Sequence, residues 1–543
     1  MRKTAKTSVR LFIFSSIFFI VLGMVFRLWR INQNEFVFYD EGFYLNYNRA
    51  LGEMVKTHFP LDTVDLKKAF VHYARTCMAS GKSLWFLLVD SRIFFNRLYE
   101  WFWARILASV FGILTIFLTY AFAKQFFRSA GIALTAAVLI AVLPSHVFYS
   151  RVGLQETLST FLVMLGFYFY VFPQRFSWRT FLAGLFFGLA FFSNYRLIML
   201  PALIVATEMW LSWTERRWFD LRKFTWCVLT FLAMVFGAGG ILFGGVNTYI
   251  IFAWVFHQQH LAAPQFHWIN FLSYPYYLFR LDQPLLLCLF LANAYLFFRG
   301  QRRLLLPFIL VLIQMLIFSL PEEKGARYLC VVFPFITMAV SYAVVYFYNS
   351  MKTPLKRILW TSLCVLLVIL LSWRSYRIAE IDSDYDKSAE FLLAKDEGVK
   401  FLSTQPFVHN LYTPGFTRVY GAPHTFDQLM AEFSNGCSYL VFGPQAYLAV
   451  PESGKRFSLQ LEGFYEFLLK SVKPLKVFDH FDQVMLERFV LEHSSNLLDS
   501  TEFLRLAQSR GYGKIYVYDL KLIMPLMMRR LMEYKRMREG GHG

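Results

Sequence analysis

Residues 328–348 read YLCVVFPFITMAVSYAVVYFY and contain no Asp, Glu, Lys or Arg. An apolar run of roughly 20 residues is long enough to cross the hydrocarbon core of a bilayer as an α-helix. The runs 130–149 and 304–320 also lack these charged residues. Over the whole chain 57% of residues are hydrophobic and 17% are charged, whereas soluble domains are roughly 45–50% apolar and 25% charged. The sequence therefore predicts a polytopic α-helical membrane protein.

Other apolar runs bring the number of candidate transmembrane helices to about eleven. The candidates lie at about 11–28, 104–123, 130–149, 157–172, 180–193, 197–213, 224–244, 276–298, 304–320, 328–348 and 358–373. Two of them are weak, because 180–193 is short and 276–298 contains Arg280 and Asp282. Counts of roughly nine to thirteen therefore stay open.

Basic residues follow every second span. With the N-terminus in the cytoplasm, each inner segment is basic, and the short outer loops hold far fewer Lys and Arg. The inner residues are Lys124, Arg128, Arg175, Arg179, Arg216, Arg217, Arg222, Lys223, Arg299, Arg302, Arg303, Lys352, Lys356 and Arg357. This positive-inside pattern predicts a cytoplasmic N-terminus, and an odd number of spans puts the C-terminus outside. The chain has no N-x-[ST] sequon, which favours a bacterial inner membrane.

The formal net charge of +19 raises the question of nucleic-acid binding. Lys and Arg are scattered in short clusters between apolar runs and do not form one basic face, so no nucleic-acid partner is predicted. The first apolar stretch follows a basic start but lacks a small-x-small cleavage site. We therefore expect a retained first span, not a cleaved signal peptide.

Two outer regions are large. The first, at about 32–103, mixes charge with helical apolar spacing and predicts amphipathic helices on the membrane surface. The second, at 374–520, alternates helix-like stretches with strand-like ones at 399–403, 439–442 and 514–518, which predicts an extracytoplasmic α/β domain. The predicted organisation is a transmembrane module at 1–373, this domain at 374–520 and a basic tail at 521–543.

Adjacent carboxylates, Asp40 and Glu41, follow the first span by about a dozen residues. Sugar transfer from a lipid phosphate requires a carboxylate at the membrane surface, which takes the proton from the acceptor hydroxyl as its oxygen attacks the anomeric carbon. Asp40 or Glu41 is positioned in the chain for that role. The alternative is that the acidic pair caps an interfacial helix or faces water.

A further acid, Glu156, lies between two strongly apolar runs, where a charge is costly unless it is paired or hydrated. It is a candidate to orient the acceptor, to raise the pKa of the first acid, or to help hold a divalent cation. The alternative is an ion pair with Arg151 or a capping role near Thr157.

Arg327, beside Tyr328, precedes the span at 328–348. Its guanidinium is suited to bidentate hydrogen bonds with a lipid phosphate and to stabilising the departing polyprenyl phosphate. Other candidates for this donor-phosphate site are Lys324, Arg105, Arg151 and Arg196. Each of these cations has the alternative of snorkelling at the end of a span.

Taken in order, these residues resemble GT-C glycosyltransferases. The resemblance rests on the acidic pair after span one, Ala104-Arg105-Ile106-Leu107-Ala108-Ser109 with Phe111-Gly112, Tyr149-Ser150-Arg151 with Glu156, and Arg327-Tyr328 with Pro334. It covers about 1–350. Within this group, the sequence is similar to the branch that includes protein O-mannosyltransferases and the lipid A aminoarabinose transferase. The Lys-Pro stretch often present in the first outer loop of this branch is absent.

The resemblance implies roles for individual residues. Asp40 corresponds to the catalytic base, Glu156 to the second acid and Arg327 to the basic residue before the late span. It also implies a polyprenyl-phosphate-sugar donor and inversion at the anomeric carbon. The acceptor, a lipid, a glycan or a protein, is not determined by it.

The cysteines and histidines do not predict a metal site. No C-x-x-C spacing occurs, and Cys77 with Cys437 is the only plausible disulfide pair. His257, His260 and His267 lack a neighbouring carboxylate or Cys, so packing in an aromatic belt is favoured over zinc.

Two other functions compete with the glycosyltransferase. A transporter or flippase of lipid-linked sugars should show paired half-repeats or charges at the bilayer midplane, and neither is clear in the sequence. A scaffold subunit of an envelope-glycan assembly would use the region 374–520 to bind partners.

Overall fold

A computed structural model gives the structure of most of the chain. It describes residues 2–32, 41–46, 48–50, 81–91, 99–172, 176–238, 268–320, 325–414, 418–423, 425–443, 467–479, 487–488, 491 and 513–540. These belong to two compact units. The first comprises Met1–Asn32, Asn48–Glu380 and Leu491–Leu497, and the second comprises Gln33–Tyr47, Ile381–Val490 and Leu498–Gly543. The domain boundaries given above stay a prediction.

The first unit is helical throughout its described part. Its α-helices are α1 (Arg2–Leu28), α2 (Ser83–Asp90), α3 (Glu100–Phe127), α4 (Ala130–Val142), α5 (Pro144–Tyr149), α6 (Glu156–Val171), α7 (Trp178–Ser193), α8 (Leu200–Glu215), α9 (Leu221–Leu232), α10 (Ser273–Tyr277), α11 (Pro284–Phe298), α12 (Leu306–Ser319), α13 (Phe333–Ser350) and α14 (Pro354–Ala379). Short 3₁₀ or π segments precede or follow several of them, including Tyr195–Met199, Leu278–Asp282 and Ala326–Val332.

Five helical segments among the described residues are long and apolar enough to cross a membrane. They are Leu11–Leu28, Trp101–Phe127, Tyr195–Glu215, Ala326–Ser350 and Pro354–Ala379. Five shorter apolar helices, α4, α6, α7, α11 and α12, accompany them. The predicted class, a helical membrane protein, is confirmed to this extent, and the count of about eleven spans stays a prediction.

Prolines divide two segments that the sequence analysis treated as continuous spans. The span expected at 130–149 ends as α4 at Val142, and α5 starts at Pro144 after Leu143 in an extended conformation. The span expected at 276–298 is interrupted in the same way at Gln283, directly before Pro284. A residue that precedes proline is pushed out of the α region, whereas proline itself suits the first turn of the next helix. Continuity of these two spans was therefore a wrong prediction.

A buried arginine joins three helices of the first unit. Arg27, in α1, is fully buried, and its Nη1 donates to the carbonyls of Gly23 and Ala141 at 2.6 Å each. Its Nη2 lies 2.6 Å from Nδ1 of His146 in α5, and its Nε donates to Ser150 Oγ at 3.2 Å. The carbonyls at the end of α4 and the side chains after it thus satisfy a guanidinium that would be costly to bury alone.

The second unit contains a five-stranded sheet with the order β2-β1-β3-β5-β4. The strands are β1 (Lys400–Ser403), β2 (Val419–Gly421), β3 (Cys437–Phe442), β4 (Lys476–Asp479) and β5 (Lys514–Asp519). β1 pairs in parallel with β2 and β3, whereas β5 runs antiparallel to β3 and β4. Its labelled helices are α15 (Tyr385–Leu393), α16 (Pro406–Tyr412), α17 (Phe426–Ser434) and α18 (Leu520–Gly540).

Part of the core of the second unit comes from the segment expected to be a separate basic tail. Ile523, Met524 and Met527 of α18 are buried in one cluster with Leu440 and Cys437 of β3. Cys437 is a free cysteine, and Cys77 lies outside the described residues. The apolar residues of this basic segment thus cover one face of the sheet.

Candidate active site

A small cavity lies at the N-terminal end of α6 in the first unit. Its volume is about 20 Å³, close to the space of one water molecule. It is lined by Glu156, Ser159, Asn194, Arg196, Leu197, Gln314, Phe318, Arg327, Tyr328, Cys330 and Val331. Three residues predicted for the site, Arg196, Arg327 and Tyr328, are brought together with the predicted acid Glu156.

Glu156 is the first residue of α6 and is 2% exposed. A carboxylate is favoured at this position because the first turn of a helix carries partial positive charge. Its Oε1 accepts a hydrogen bond from Gln155 Nε2 at 3.3 Å. Its Oε2 is buried and has no hydrogen-bond partner among the described residues. One oxygen of the carboxylate is therefore available to a group about the size of a water molecule in the cavity.

Three cations surround this carboxylate closely enough to interact with it electrostatically. They are Arg327, Lys82 and Arg196. The alternative considered for Glu156, an ion pair with Arg151, is not formed among the described residues, where Arg151 donates to backbone carbonyls. The second acid of the sequence analysis thus lies in a positively charged environment, which suits an anionic ligand.

Arg196 and Tyr328 form one wall of the cavity. The Arg196 guanidinium lies over the Tyr328 ring, 4.7 Å from its centroid, and Phe318 also packs against this ring, with ring centroids 5.0 Å apart. The backbone on both sides is held by side chains. Asn194 Oδ1 accepts from the Arg196 amide at 3.2 Å, and Gln314 Nε2 donates to the Tyr328 carbonyl at 3.1 Å. Both 3₁₀ segments are therefore anchored beside the cavity.

Two other predicted phosphate-binding arginines do not line the cavity. Arg151 donates through Nη1 to the Phe26 carbonyl and through Nη2 to the Ala379 carbonyl, which lie near the C-terminal ends of α1 and α14. Arg105 is buried in α3, with its guanidinium 5.5 Å from the centroid of the Trp101 ring. Arg151 thus ties helix ends together, and neither arginine is brought to Glu156.

The remaining predicted residues fall elsewhere. Asp40 and Lys324 lie outside the described residues. Glu41 belongs to the second unit, where it is buried at the start of a helix at 41–46. In that helix Phe43 contacts Phe407, with ring centroids 5.0 Å apart.

Several residues of the cavity were missed by the sequence analysis. Gln314 is the sole strongly polar side chain in the apolar run 304–320, and a polar group in such a run is a signal for a functional position. Asn194 directly follows the candidate span at 180–193 and lies two residues before Arg196. These two polar residues at the end of a span were a further signal for a functional position. Lys82 had no distinguishing pattern in the sequence.

The residues around Glu156 do not fit a divalent cation. In the part of the chain that the structure describes, no three His, Cys, Asp or Glu side chains lie close enough to hold a metal ion. The charged neighbours of Glu156 are cations, which would repel a metal. His257, His260 and His267 lie outside the described residues.

Comparison with known families identifies a match over part of the first unit. Residues 84–238 match the family model described as dolichyl-phosphate-mannose-protein mannosyltransferase. The chain resembles this glycosyltransferase family. The matched stretch contains Glu156 and Arg196, and the match confirms the resemblance inferred from the sequence. No curated protein matches the chain.

Several solved structures are similar to the chain at low sequence identity. The apo structure of ArnT from Cupriavidus metallidurans is 14% identical, with a TM-score of 0.48, over 83% of this chain and 95% of that chain. ArnT bound to undecaprenyl phosphate is 13% identical, with a TM-score of 0.46, over 84% and 96% of the two chains. Archaeal oligosaccharyltransferase AglB from Archaeoglobus fulgidus, in complex with an inhibitory peptide and a dolichol-phosphate, is 11% identical, with a TM-score of 0.43, over 69% and 65%.

Proposed function

We propose that this chain is an integral membrane glycosyltransferase. It moves a sugar from a polyprenyl-phosphate-linked donor to a lipid, glycan or protein acceptor at the outer face of a bacterial inner membrane. The observation that carries the proposal is the buried Glu156 carboxylate beside the guanidinium groups of Arg196 and Arg327, at the end of an apolar helix. The match of residues 84–238 to a mannosyltransferase family supports the reaction class.

The cations at the cavity have a clear use in such a reaction. Arg327 and Arg196 bind the phosphate of the donor, and their positive charge stabilises the polyprenyl phosphate as it departs. Tyr328 holds the Arg196 guanidinium over its ring, so the cation is oriented before the donor arrives. Arg105, Arg151 and Lys324 are not needed for this arrangement.

Three acidic residues, Asp40, Glu41 and Glu156, have the remaining roles in the reaction. The acceptor oxygen attacks the anomeric carbon as the bond from that carbon to the phosphate oxygen breaks. The configuration at the anomeric carbon is thereby inverted. The proton of the acceptor hydroxyl goes to the Asp40 carboxylate, which acts as the general base. Glu41 positions the loop, and Glu156 orients the acceptor through the carboxylate oxygen that has no partner among the described residues.

A transfer assay on the purified full-length protein tests this function. The protein is given a polyprenyl-phosphate-linked sugar and candidate acceptors, and release of polyprenyl phosphate together with glycosylated product is measured. Arg327→Ala should lower turnover strongly, whereas Arg299→Ala, at an exposed arginine after α11, should leave it unchanged. Equal turnover by the two variants would overturn the assignment of Arg327. Movement of the intact donor across a vesicle membrane without product would instead indicate a flippase.

A further inference from the structure

A second polar cavity lies at the opposite end of α6, about sixteen residues along the helix from Glu156. Its volume is about 270 Å³, much larger than that of the Glu156 cavity. It is lined by Gln125, Phe126, Phe127, Arg128, Val171, Phe172, Leu211, Glu215, Arg217, Lys223 and Leu304. The cavity thus combines three cations with one carboxylate and a wall of aromatic and aliphatic side chains.

Lys223 provides a buried cation in this cavity. Its side chain is fully buried, and its Nζ lies 3.6 Å from Oε2 of Glu208 and 4.3 Å from the centroid of the Tyr170 ring. Nζ has no hydrogen-bond partner among the described residues. Lys223 thus forms an ion pair with Glu208 but makes no hydrogen bond among the described residues, and an oxyanion that enters the cavity would supply the acceptor that this buried ammonium lacks.

Arg217 has a different role in the same cavity. Its Nη1 donates to Glu208 Oε1, and its Nε donates to Glu215 Oε2 at 3.0 Å. Tyr170 also donates to Glu208, at 3.1 Å. Arg217 is therefore paired with two carboxylates, whereas Lys223 shares only the Glu208 carboxylate with it.

Arg128 provides the second cation that can meet a ligand. It follows the end of α3, adopts a left-handed conformation with φ of 53°, and is exposed. In the described part of the chain it makes no ion pair. Phe126, Phe127 and Phe172 lie in the same lining, so apolar surface adjoins the charge.

We infer that this cavity binds the phosphate group of an anionic phospholipid at the predicted inner face of the membrane. Arg128 and Lys223 meet the phosphate, and the aromatic and aliphatic wall contacts the chain region below the headgroup. Basic pockets between membrane helices on the cytoplasmic side are suited to such headgroups. A free phosphate ion would use the cations but leave the apolar wall without a partner. This site is separate from Glu156, and it does not depend on the proposed transferase activity.

Lipid binding to the purified full-length protein in detergent tests the inference, with native mass spectrometry as the readout. Dioleoylphosphatidylglycerol is titrated against wild type, Arg128→Gln, Gln125→Glu and the control Lys124→Gln. Lys124 is exposed in the last turn of α3 and does not line the cavity. We expect Arg128→Gln to weaken the first binding event about fivefold, the effect of roughly one basic residue near a membrane surface. Gln125→Glu should weaken it similarly, and Lys124→Gln should change it less than about twofold.

The controls separate the sources of the phosphate group. Dioleoylphosphatidylcholine should bind more weakly than the anionic lipid, and inorganic phosphate should not displace it. Equal binding of phosphatidylglycerol by Arg128→Gln and Lys124→Gln would overturn the site. Displacement of the lipid by inorganic phosphate at equal concentration would overturn the lipid assignment. All three substituted positions are exposed, and an unchanged melting temperature of each variant checks that it is folded.

Discussion

The Arg196 guanidinium lies 4.7 Å from the centroid of the Tyr328 ring, at the wall of the cavity that contains Glu156. The two residues are 132 positions apart in the chain. The backbone of each is held by the side chain of another residue, the Arg196 amide by Asn194 and the Tyr328 carbonyl by Gln314. An arginine over an aromatic face gains about 0.5–2 kcal/mol and has a restricted orientation. Tyr328 is therefore a positioning residue for a cation that binds phosphate.

Replacement of Tyr328 tests this relationship. Tyr328→Leu removes the ring under Arg196, and we expect KM for the lipid-phosphate donor to rise about three- to tenfold, with a smaller change in kcat. Tyr328→Phe keeps the ring and should behave like wild type. The measurement is steady-state transfer at varied donor concentration. A fall in kcat with no change in KM for Tyr328→Leu would contradict the positioning role.

Arg327 should be only partly replaceable by lysine. Arg327→Ala is expected to reduce turnover about a hundred- to a thousandfold, the range for loss of one charge-stabilising donor. Arg327→Lys keeps the charge but lacks the planar fork that matches two phosphate oxygens, so it should recover only part of this loss. The transfer assay at saturating donor checks whether turnover falls in the order wild type, Arg327→Lys, Arg327→Ala. Full recovery by lysine would indicate that charge alone is required.

Asp40→Asn should abolish most transfer while the protein still folds. The amide keeps the shape of the side chain but cannot take the acceptor proton, so a loss of roughly a hundred- to ten-thousandfold is expected. Glu41→Gln should cost less, and Asp427→Asn, at an exposed acid in α17, should cost nothing.

The result also tests the assignment of the base. If Asp40→Asn retained near-normal transfer and Glu41→Gln or Glu156→Gln abolished it, the base would be reassigned to that acid. If all three substitutions left transfer intact, the general-base mechanism proposed above would be wrong.

His409 should make the second unit sensitive to acid. It is fully buried in α16, with Ser388 Oγ 2.9 Å from Nε2 and Ser403 Oγ 2.7 Å from Nδ1, and burial lowers its pKa from 6.5 to about 4. As the pH falls below 6.5, the unfolded chain takes up the proton before the folded protein does. The stabilisation is therefore complete above pH 6.5 and is lost progressively toward pH 4, by up to about 3 kcal/mol.

Hydrogen exchange of the full-length protein measures this pH dependence locally. After correction for intrinsic exchange, protection of β1 and β3 should fall between pH 6.5 and 4. In His409→Gln, which cannot titrate in this range, the slope should be smaller. An identical slope in the variant would assign the acid sensitivity to other groups.

Gly23 should be required for the packing of α1. A Cβ added at this position would lie 2.4 Å from the Ala141 carbonyl oxygen, so either helix would have to move. Gly23→Ala should destabilise the protein by about 1–3 kcal/mol, as overpacking does in well-packed interiors. The control is Gly131→Ala, where the added carbon would meet only Ser129 Oγ at 3.8 Å. Thermal unfolding in detergent should separate the two variants, and equal melting temperatures would show that the contact tolerates a methyl group.

Apolar runs predicted the helices well because length and hydrophobicity are local properties of the chain. The interruptions of two runs at Leu143 and Gln283 also have a local signal in the sequence, since each of these residues precedes a proline. The grouping of Glu156 with Arg196 and Arg327 followed from their shared place at helix ends. The sequence could not separate Arg151 from this group, because its partners are backbone carbonyls, which carry no sequence signal.

The buried Arg27 has a consequence for how the protein is made. Apart from the Gly23 carbonyl in the same helix, its hydrogen-bonding partners lie at Ile140, Ala141, His146 and Ser150, more than a hundred residues later in the chain. During synthesis the first helix enters the membrane before any of these acceptors has been translated, so its guanidinium must stay with water or headgroups at the interface. Docking of the first helix becomes favourable only after α5 has followed it. Helix α1 is thus inserted before α4 and α5, and it reaches its final packing only when these later helices are in place.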